Sequence, residues 1–386
     1  MFSGRVLASV LAGALSFGGA AKCNAADLTI GLIGTLSGPA TEWGLALQRG
    51  VDIAIDEVNA AGGLKVGSET YTVKRLMYDD QGSGQGGTTA ATRMINADGI
   101  KFIIGSIGSG PTLGVLGVSR PAKAIVLSNG FAPEIMTPES KYNFRVALTA
   151  AEFAPGVVEW LGRTHPKERR VGIISPNDAV GASVTPLQID AYKKGGFDIV
   201  FSEKFERGMT DFTPLLTRML ASNVDIFELD GNSPGDAGLL VKQVRQLGYR
   251  GTVIQIAGPT IDQIMKIAGP LAEGVLTYDI FDPVAPDAQT FVKAFRAKVA
   301  QGPINAYSPI MYNGAKLLFE AMRRASSLDV DKVRDELERL SGYETLFGKV
   351  RWTGEKTYGI NHQLLTDFFV SEVKNGQLVI VERLKP

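Results

Sequence analysis

Residues 28–44 read LTIGLIGTLSGPATEWG: a β-branched apolar run, a loop of small residues, and the entry to a helix. The continuation, LALQRGVDIAIDEVNAAGG (45–63), carries its apolar residues at helical spacing, which fixes the order strand, loop, helix. A Gly/Ser loop at that junction leaves backbone N–H groups free near a helix N-terminus, where an anion can sit. Three occupants of residues 34–44 stand open: a phosphate, a carboxylate, or nothing.

The same alternation repeats down the chain. YTVKRLMYDD (71–80), KFIIGS (101–106), AIVLS (124–128), RRVGIISP (169–176), DIVFSEKF (198–205), VDIFEL (224–229) and TVIQIA (252–257) read as strands. Residues 86–97, 151–164, 181–195, 213–222 and 235–247 read as the helices between them. Strands alternating with helices imply parallel sheets covered on both faces. About a dozen strands exceed one ordinary doubly wound sheet, so the expected fold is α/β with two doubly wound parallel-sheet lobes. The glycine pairs Gly62-Gly63 and Gly195-Gly196 stop helices. Near the C-terminus TDFFVSEVKNGQLVIVERL (366–384) reads as two strands turned at Asn375-Gly376, an antiparallel addition to the second lobe. Breaks of pattern near residues 147, 275 and 349 mark three passages between lobes. They give 27–147 with 276–348 for the first lobe, and 148–275 with 349–386 for the second.

The chain has 386 residues, 45% apolar and 21% charged, ample for real cores. Its 40 basic and 40 acidic residues are interspersed, which argues against a nucleic-acid partner. Residues 1–25 differ: Arg5, an apolar run too short to span a bilayer, and small residues before Ala25 read as a secretory signal peptide cleaved after Ala25, hence export to the periplasm. The alternative is a buried N-terminal helix. Lys22 beside Cys23 counts against a lipid anchor there. Cleavage removes Arg5, Lys22 and no acid, leaving a formal charge of −2, and it removes the single cysteine. Disulfide, thiol and zinc–cysteine chemistry are thereby excluded.

Loops expected at the carboxyl ends of the strands gather at 34–43, 79–85, 105–112, 128–133, 175–181, 230–235 and 257–262. A hydrolase needs a base, and only His165 and His362 exist, both reading as solvated. GSIGSG (105–110) is not a nucleophile elbow, DQGSGQGG (80–87) lacks the Walker lysine, and Asp79-Asp80 point to opposite sides of a strand without a further ligand. No cofactor and no metal are expected. A crevice that binds without chemistry remains.

IGLIGTLSGPATEWG (30–44), DEVNAAGGL (56–64), IIGSIGSG (103–110), LSNGFAPEI (127–135) and FGKVRWTGE (347–355) followed by VSEVKNGQLVIV (370–381) together resemble the branched-chain amino-acid binding proteins of bacterial ABC transporters, the type I periplasmic binding proteins. The resemblance implies two lobes that close by a hinge on a ligand, a membrane permease as partner, and a monomer. It assigns the ligand carboxylate to Ser109 and neighbouring amides, a wall to Trp43, and a second hold to the loop of Asn129, Gly130 and Phe131. Where the amino-acid binders place an acid for the α-ammonium this chain has Thr260, and where they place a tyrosine it has Val180. Asp230 is the compensating acid that would restore an amino-acid reading. Ser106, Asn177, Asn232 and Phe281 complete the expected lining.

The expectation is a small carboxylate, aromatic or branched aliphatic, in preference to an amino acid. Phosphate is disfavoured because the candidate loops hold no Lys or Arg. The alternatives are a branched-chain amino-acid or amide binder, a ligand sensor on the same fold, and an exported hydrolase.

Overall fold

The computed structural model describes Met1 and residues 25–258 and 260–386. Apart from its two end positions, the expected signal peptide lies outside them. The chain opens with β1 (Ala26–Gly34), α1 (Thr41–Ala60), β2 (Leu64–Val66), β3 (Glu69–Asp79), α2 (Gly84–Thr92), β4 (Phe102–Ile107), α3 (Ser109–Ser119), β5 (Ile125–Asn129) and β6 (Asn143–Arg145). A second series follows: α4 (Ala150–Thr164), β7 (Arg170–Pro176), α5 (Ala179–Lys194), β8 (Asp198–Phe205), α6 (Thr213–Ala221), β9 (Ile226–Asp230), α7 (Pro234–Gln246), β10 (Thr252–Ala257), α8 (Ile261–Ala268) and β11 (Val275–Asp279). The remainder holds α9 (Gln289–Lys298), α10 (Tyr307–Ala325), α11 (Val330–Glu338), the short strands β12 (Glu344–Thr345), β13 (Gly348–Lys349), β14 (Trp352–Thr353) and β15 (Gln363–Leu364), and the hairpin β16 (Phe368–Lys374) with β17 (Gln377–Leu384).

Two large sheets result. The first runs β14-β15-β6-β5-β4-β1-β3-β2 and the second β17-β16-β11-β10-β9-β7-β8. Within each, five parallel strands follow the same order, β3-β1-β4-β5-β6 and β8-β7-β9-β10-β11, and in the first sheet β15 adds a sixth beside β6. Strand β1 shows why a parallel strand reads as a continuous apolar run. Ile30 and Leu32 join the core with Leu47 and Val51 of α1, and Ile33 the core with Ala90 of α2 and Val115 of α3. Covered on both faces, each such side chain contributes roughly 1.5–3 kcal/mol.

The Asn375-Gly376 turn has φ of 53° and 69°, as a two-residue hairpin loop requires. The Glu273 carboxylate accepts from both of its amides, at 2.8 and 3.3 Å. The hairpin adds antiparallel to β11.

Sheet membership changes where helix α4 separates β6 from β7. The next change comes after Asp279, not at 275, because β11 pairs along β10 (Val253 to Gln255) and belongs to the second sheet. The last falls between Leu364 and Phe368, not at 349, because β15 returns to β6, with Gln363 opposite Arg145. Both passages lie downstream of the breaks in pattern. A buried strand carries no mark of which sheet it joins.

Each cleft-side loop turns so tightly that the following helix lies against the end of its strand. A methyl group at Gly44 would overlap the Thr35 carbonyl, one at Gly86 the Asp80 carbonyl, and one at Gly181 the Pro176 carbonyl. Gly44→Ala is therefore expected to destabilise the protein by roughly 1–3 kcal/mol in urea unfolding. Gly117→Ala, on α3 with no atom within 4 Å of the new methyl, is expected to stabilise it by up to ~1 kcal/mol. Equal midpoints for the two variants would contradict this packing.

Candidate functional site

In both sheets the strand order reverses between the first strand and its two neighbours, and the loops leaving the carboxyl ends there face each other. A cavity of about 400 Å³ lies between them. The first lobe supplies residues 35–43 in part, 81–84 and 107–111; the second supplies 178–180 and Arg207. The lobes touch around it. Gly235 of α7 lies against Pro39, α3 meets α5, and the Arg207 guanidinium sits 5.6 Å from the Trp43 ring centroid.

The first-lobe loops are tied by two adjacent carboxylates. Asp80, fully buried, accepts from the Thr35 hydroxyl at 2.7 Å, from the Gly82 amide at 2.9 Å, and from the Ser106 hydroxyl, so one side chain gathers the loops after β1, β3 and β4. Asp79, pointing the other way, accepts from the amides of Leu36 and Gln81, both at 2.8 Å. Burial raises the Asp80 pKa while the three donors pull against it; amide donation lowers that of Asp79 despite its partial burial.

Three helices open onto the cavity. Ser83 caps α2 through the Gly86 amide, and Asp178 caps α5 through the amides of Val180 and Gly181. Helix α3 starts at Gly108 with no capping side chain. Its first amides and the positive end of its dipole remain for an anion. Ser109, its first residue, accepts with Oγ from the amides of Phe131 (3.2 Å) and Ala132 (3.0 Å), which leaves its proton to donate. Trp43, 6% exposed, packs edge-on to Tyr307 at 6.0 Å and has its Nε1 unpartnered. Arg207 donates from Nε to Asp178 (2.6 Å) and from Nη2 to the Gly231 carbonyl (3.1 Å); its Nη1 lies 3.8 Å from the Asp236 carboxylate and makes no hydrogen bond. The arrangement suits one negative charge on an apolar body.

A sequence model described as "Periplasmic binding protein" matches residues 27–377. The chain belongs to the periplasmic binding protein family. It is 28% identical over 354 residues to the leucine-specific-binding protein of Salmonella typhimurium, covering 90% of this chain and 91% of that one. Among solved structures it superposes on a leucine-binding protein from Thermotoga maritima with a TM-score of 0.81 at 21% identity, over 93% of this chain and 99% of the other. An R. palustris solute-binding protein in complex with benzoate gives 0.81 at 19% identity, over 93% and 97%.

In this periplasmic binding protein the cavity takes in Trp43, Ser109 and Val180. Ser106 lies behind it on Asp80. Asn129, 2% exposed, has both side-chain polar atoms unpartnered, and its carbonyl accepts from the Gly108 amide (3.4 Å). Gly130 is pressed by Ile135 and Thr112. Phe131 turns away from the cavity, edge-on to Phe153 of α4 at 6.0 Å. Asn177 is exposed and donates to Glu206 at 2.7 Å. Asp230, Asn232 and Thr260 are buried beneath the second-lobe loops. Thr260 donates to Gln255 at 3.0 Å and makes no capping bond to α8. Phe281 does not line this cavity; it packs on Phe291 at 5.5 Å beside a different one.

Two expectations are corrected. Arg207 puts a cation in the cleft, so the absence of Lys and Arg no longer argues against phosphate; the guanidinium is instead already balanced by Asp178 and Asp236, which leaves nothing to match a double charge. The loop after β8 was outside the expected set because its strand reads as an edge. His362 is not solvated: at 2% exposure it stacks on Phe144 at 3.9 Å, with Nδ1 at 3.0 Å from the Asn143 carbonyl and Nε2 at 3.1 Å from Glu338. Phe144 recruits the ring into the edge of the first sheet.

Asp230 accepts from Thr185, has Oδ1 unpartnered, and is pushed by burial up to about 7. Between its ordinary value of 3.8 and that value the folded state holds a proton that the unfolded chain has released, so stability falls as pH rises through this window. Asp230→Asn is expected to flatten that fall, read as urea midpoints at about pH 4, 5.5 and 7. Parallel curves for the two proteins would show that Asp230 is ionised throughout. At the first-lobe clamp, Asp80→Ala is expected to cost about 3 kcal/mol by orphaning its donors, and Asp80→Asn, which keeps an acceptor for the Gly82 amide, markedly less.

Proposed function

We propose that this periplasmic binding protein is the solute-capturing component of an ABC importer, and that its cleft holds a small monocarboxylate with an aromatic or branched aliphatic body. The observation that carries this reading is Arg207, set over Trp43 with Nη1 making no hydrogen bond, opposite the uncapped N-terminus of α3. The carboxylate lies between them, taking the amides of α3 and the Ser109 proton on one side and the guanidinium on the other. Trp43 and Val180 flank the apolar body, and the Trp43 N–H is available to a polar substituent. The lobes close over the ligand and present the closed surface to a membrane permease. The R. palustris structure holding benzoate agrees in fold with this ligand class.

Turnover has no support in the cleft. His165 ends α4 beside Thr164, at 2.9 Å, and His362 is locked against Glu338; neither lines the cavity, so no histidine accompanies Ser109 there.

A second reading, a branched-chain amino acid, rests on Asp230 with its unpartnered Oδ1 and on the leucine-specific relative from Salmonella. Titration calorimetry separates the two. Benzoate or 4-methylpentanoate is expected to bind more tightly than leucine, and Arg207→Ala to weaken the acid by about 10- to 100-fold. Leucine binding more tightly than 4-methylpentanoate overturns the carboxylate reading. Solution scattering is expected to show a smaller radius of gyration with the acid, and mass spectrometry to return the acid unchanged.

A further inference from the structure

A second cavity, of about 650 Å³, lies away from the cleft, where the β16–β17 hairpin meets the passage that follows β11. Its walls are the hairpin face carrying Ser371, Leu378 and Ile380, the passage itself with Phe281, residues 302–304 ahead of α10, and Met265 of α8. The volume lies in the range of small-molecule sites. Val284 and Val379, 81% and 40% exposed, stand at the rim as apolar side chains left in solvent.

The polar groups are few and converge. Ser371 is fully buried on β16, and its Oγ has no partner. Asp279, 5% exposed, accepts through Oδ1 from the amides of Ile280 (2.7 Å) and Phe281 (3.1 Å); among the described residues nothing bonds Oδ2. In the second sheet Thr277 stands opposite Ser371, so Asp279, two residues on, shares the sheet face of that hydroxyl. Asp282 adds a second acid to the wall. Among the described residues Arg296 is the one cation in the lining; it is turned to the Val299 carbonyl at 3.4 Å and lies over the Phe295 ring at 5.8 Å. Two acids against one engaged guanidinium reject an anion and favour a cation.

We propose that this cavity is a second small-molecule site, for an apolar amine whose ammonium bonds Asp279 Oδ2 and Ser371 Oγ while its hydrocarbon body lies against Phe281, Ile304, Leu378 and Ile380. Burial, with Asp262 of α8 and Asp282 adding like charge, pushes the Asp279 carboxyl up to about 7 in the empty cavity. An ammonium placed on it favours the ionised form, so binding releases the proton of the empty site and strengthens as pH rises through that value. The site shares no residue with the cleft, and it stands whether the cleft takes an acid or an amino acid.

The test is calorimetric titration of the whole protein with cyclohexylmethylamine, cyclohexylmethanol and cyclohexanecarboxylate. The amine is expected to bind at least about tenfold more tightly than the alcohol, and the carboxylate not to compete with it. Asp279→Asn is expected to raise the amine's Kd about tenfold or more and to abolish the gain between one pH unit below and one above 7. Val284→Lys, at an exposed position that does not threaten folding, is expected to weaken the amine several-fold by repulsion. Arg207→Ala, in the cleft, is expected to leave it unchanged. Equal affinities for amine and alcohol, no binding of the amine, or loss of amine binding in Arg207→Ala with none in Asp279→Asn and Val284→Lys overturns the proposal.

Discussion

One buried carboxylate sets the geometry of the cleft. Asp80 takes hydrogen bonds from Thr35 just after β1, from Gly82 in its own loop and from Ser106 at the end of β4, three segments adjacent in space. Without a shared acceptor each loop would have to satisfy its own polar groups, and a loop open to solvent does so in many conformations. A single desolvated anion selects one arrangement, and its cost of burial is offset only when all three donors arrive together. The mouth of α3 and the wall formed by Trp43 are held from behind by it.

The second lobe repeats the winding without repeating the clamp. There Asp178 caps α5 and takes Arg207, while Asp236 accepts from Ser233 at 2.5 Å and from the Gly208 amide at 3.2 Å. Charge on this side lies at the surface of the cleft, and on the other side beneath it. A ligand therefore meets a pre-formed amide pocket in one lobe and a paired, partly exposed guanidinium in the other.

Fold and site were legible to different depths. The strand runs at 169–176 and 252–257 read almost to the residue, since parallel strands buried on both faces are apolar throughout, and the edge strand at 198–205 read as well from its β-branched and aromatic residues. The Asn375-Gly376 turn read correctly because its positive φ angles demand those residues. Passage points at 279 and 364 did not read, because pairing partners are a tertiary property. In the site, Trp43, Ser109 and Val180 line the cavity, whereas Phe281 does not; an aromatic in a loop carries no sign of which side it buries. Arg207 was missed for a related reason. A charged residue after an edge strand looks solvated until the opposite lobe brings a tryptophan beneath it.

The return of β15 to β6 has a consequence for how the chain reaches its native state. Gln363 pairs with a strand, at Arg145, made more than half the chain earlier, and all five parallel strands of the second sheet lie in between. Until the last segment has emerged, the first sheet lacks its final strands and His362 is missing from its place on Phe144. A chain that emerges from its N-terminus onward thus stays short of the closed topology until it is nearly complete. Pairing between strands so far apart in sequence slows folding, because the entropy of closing the loop is lost before the contact forms.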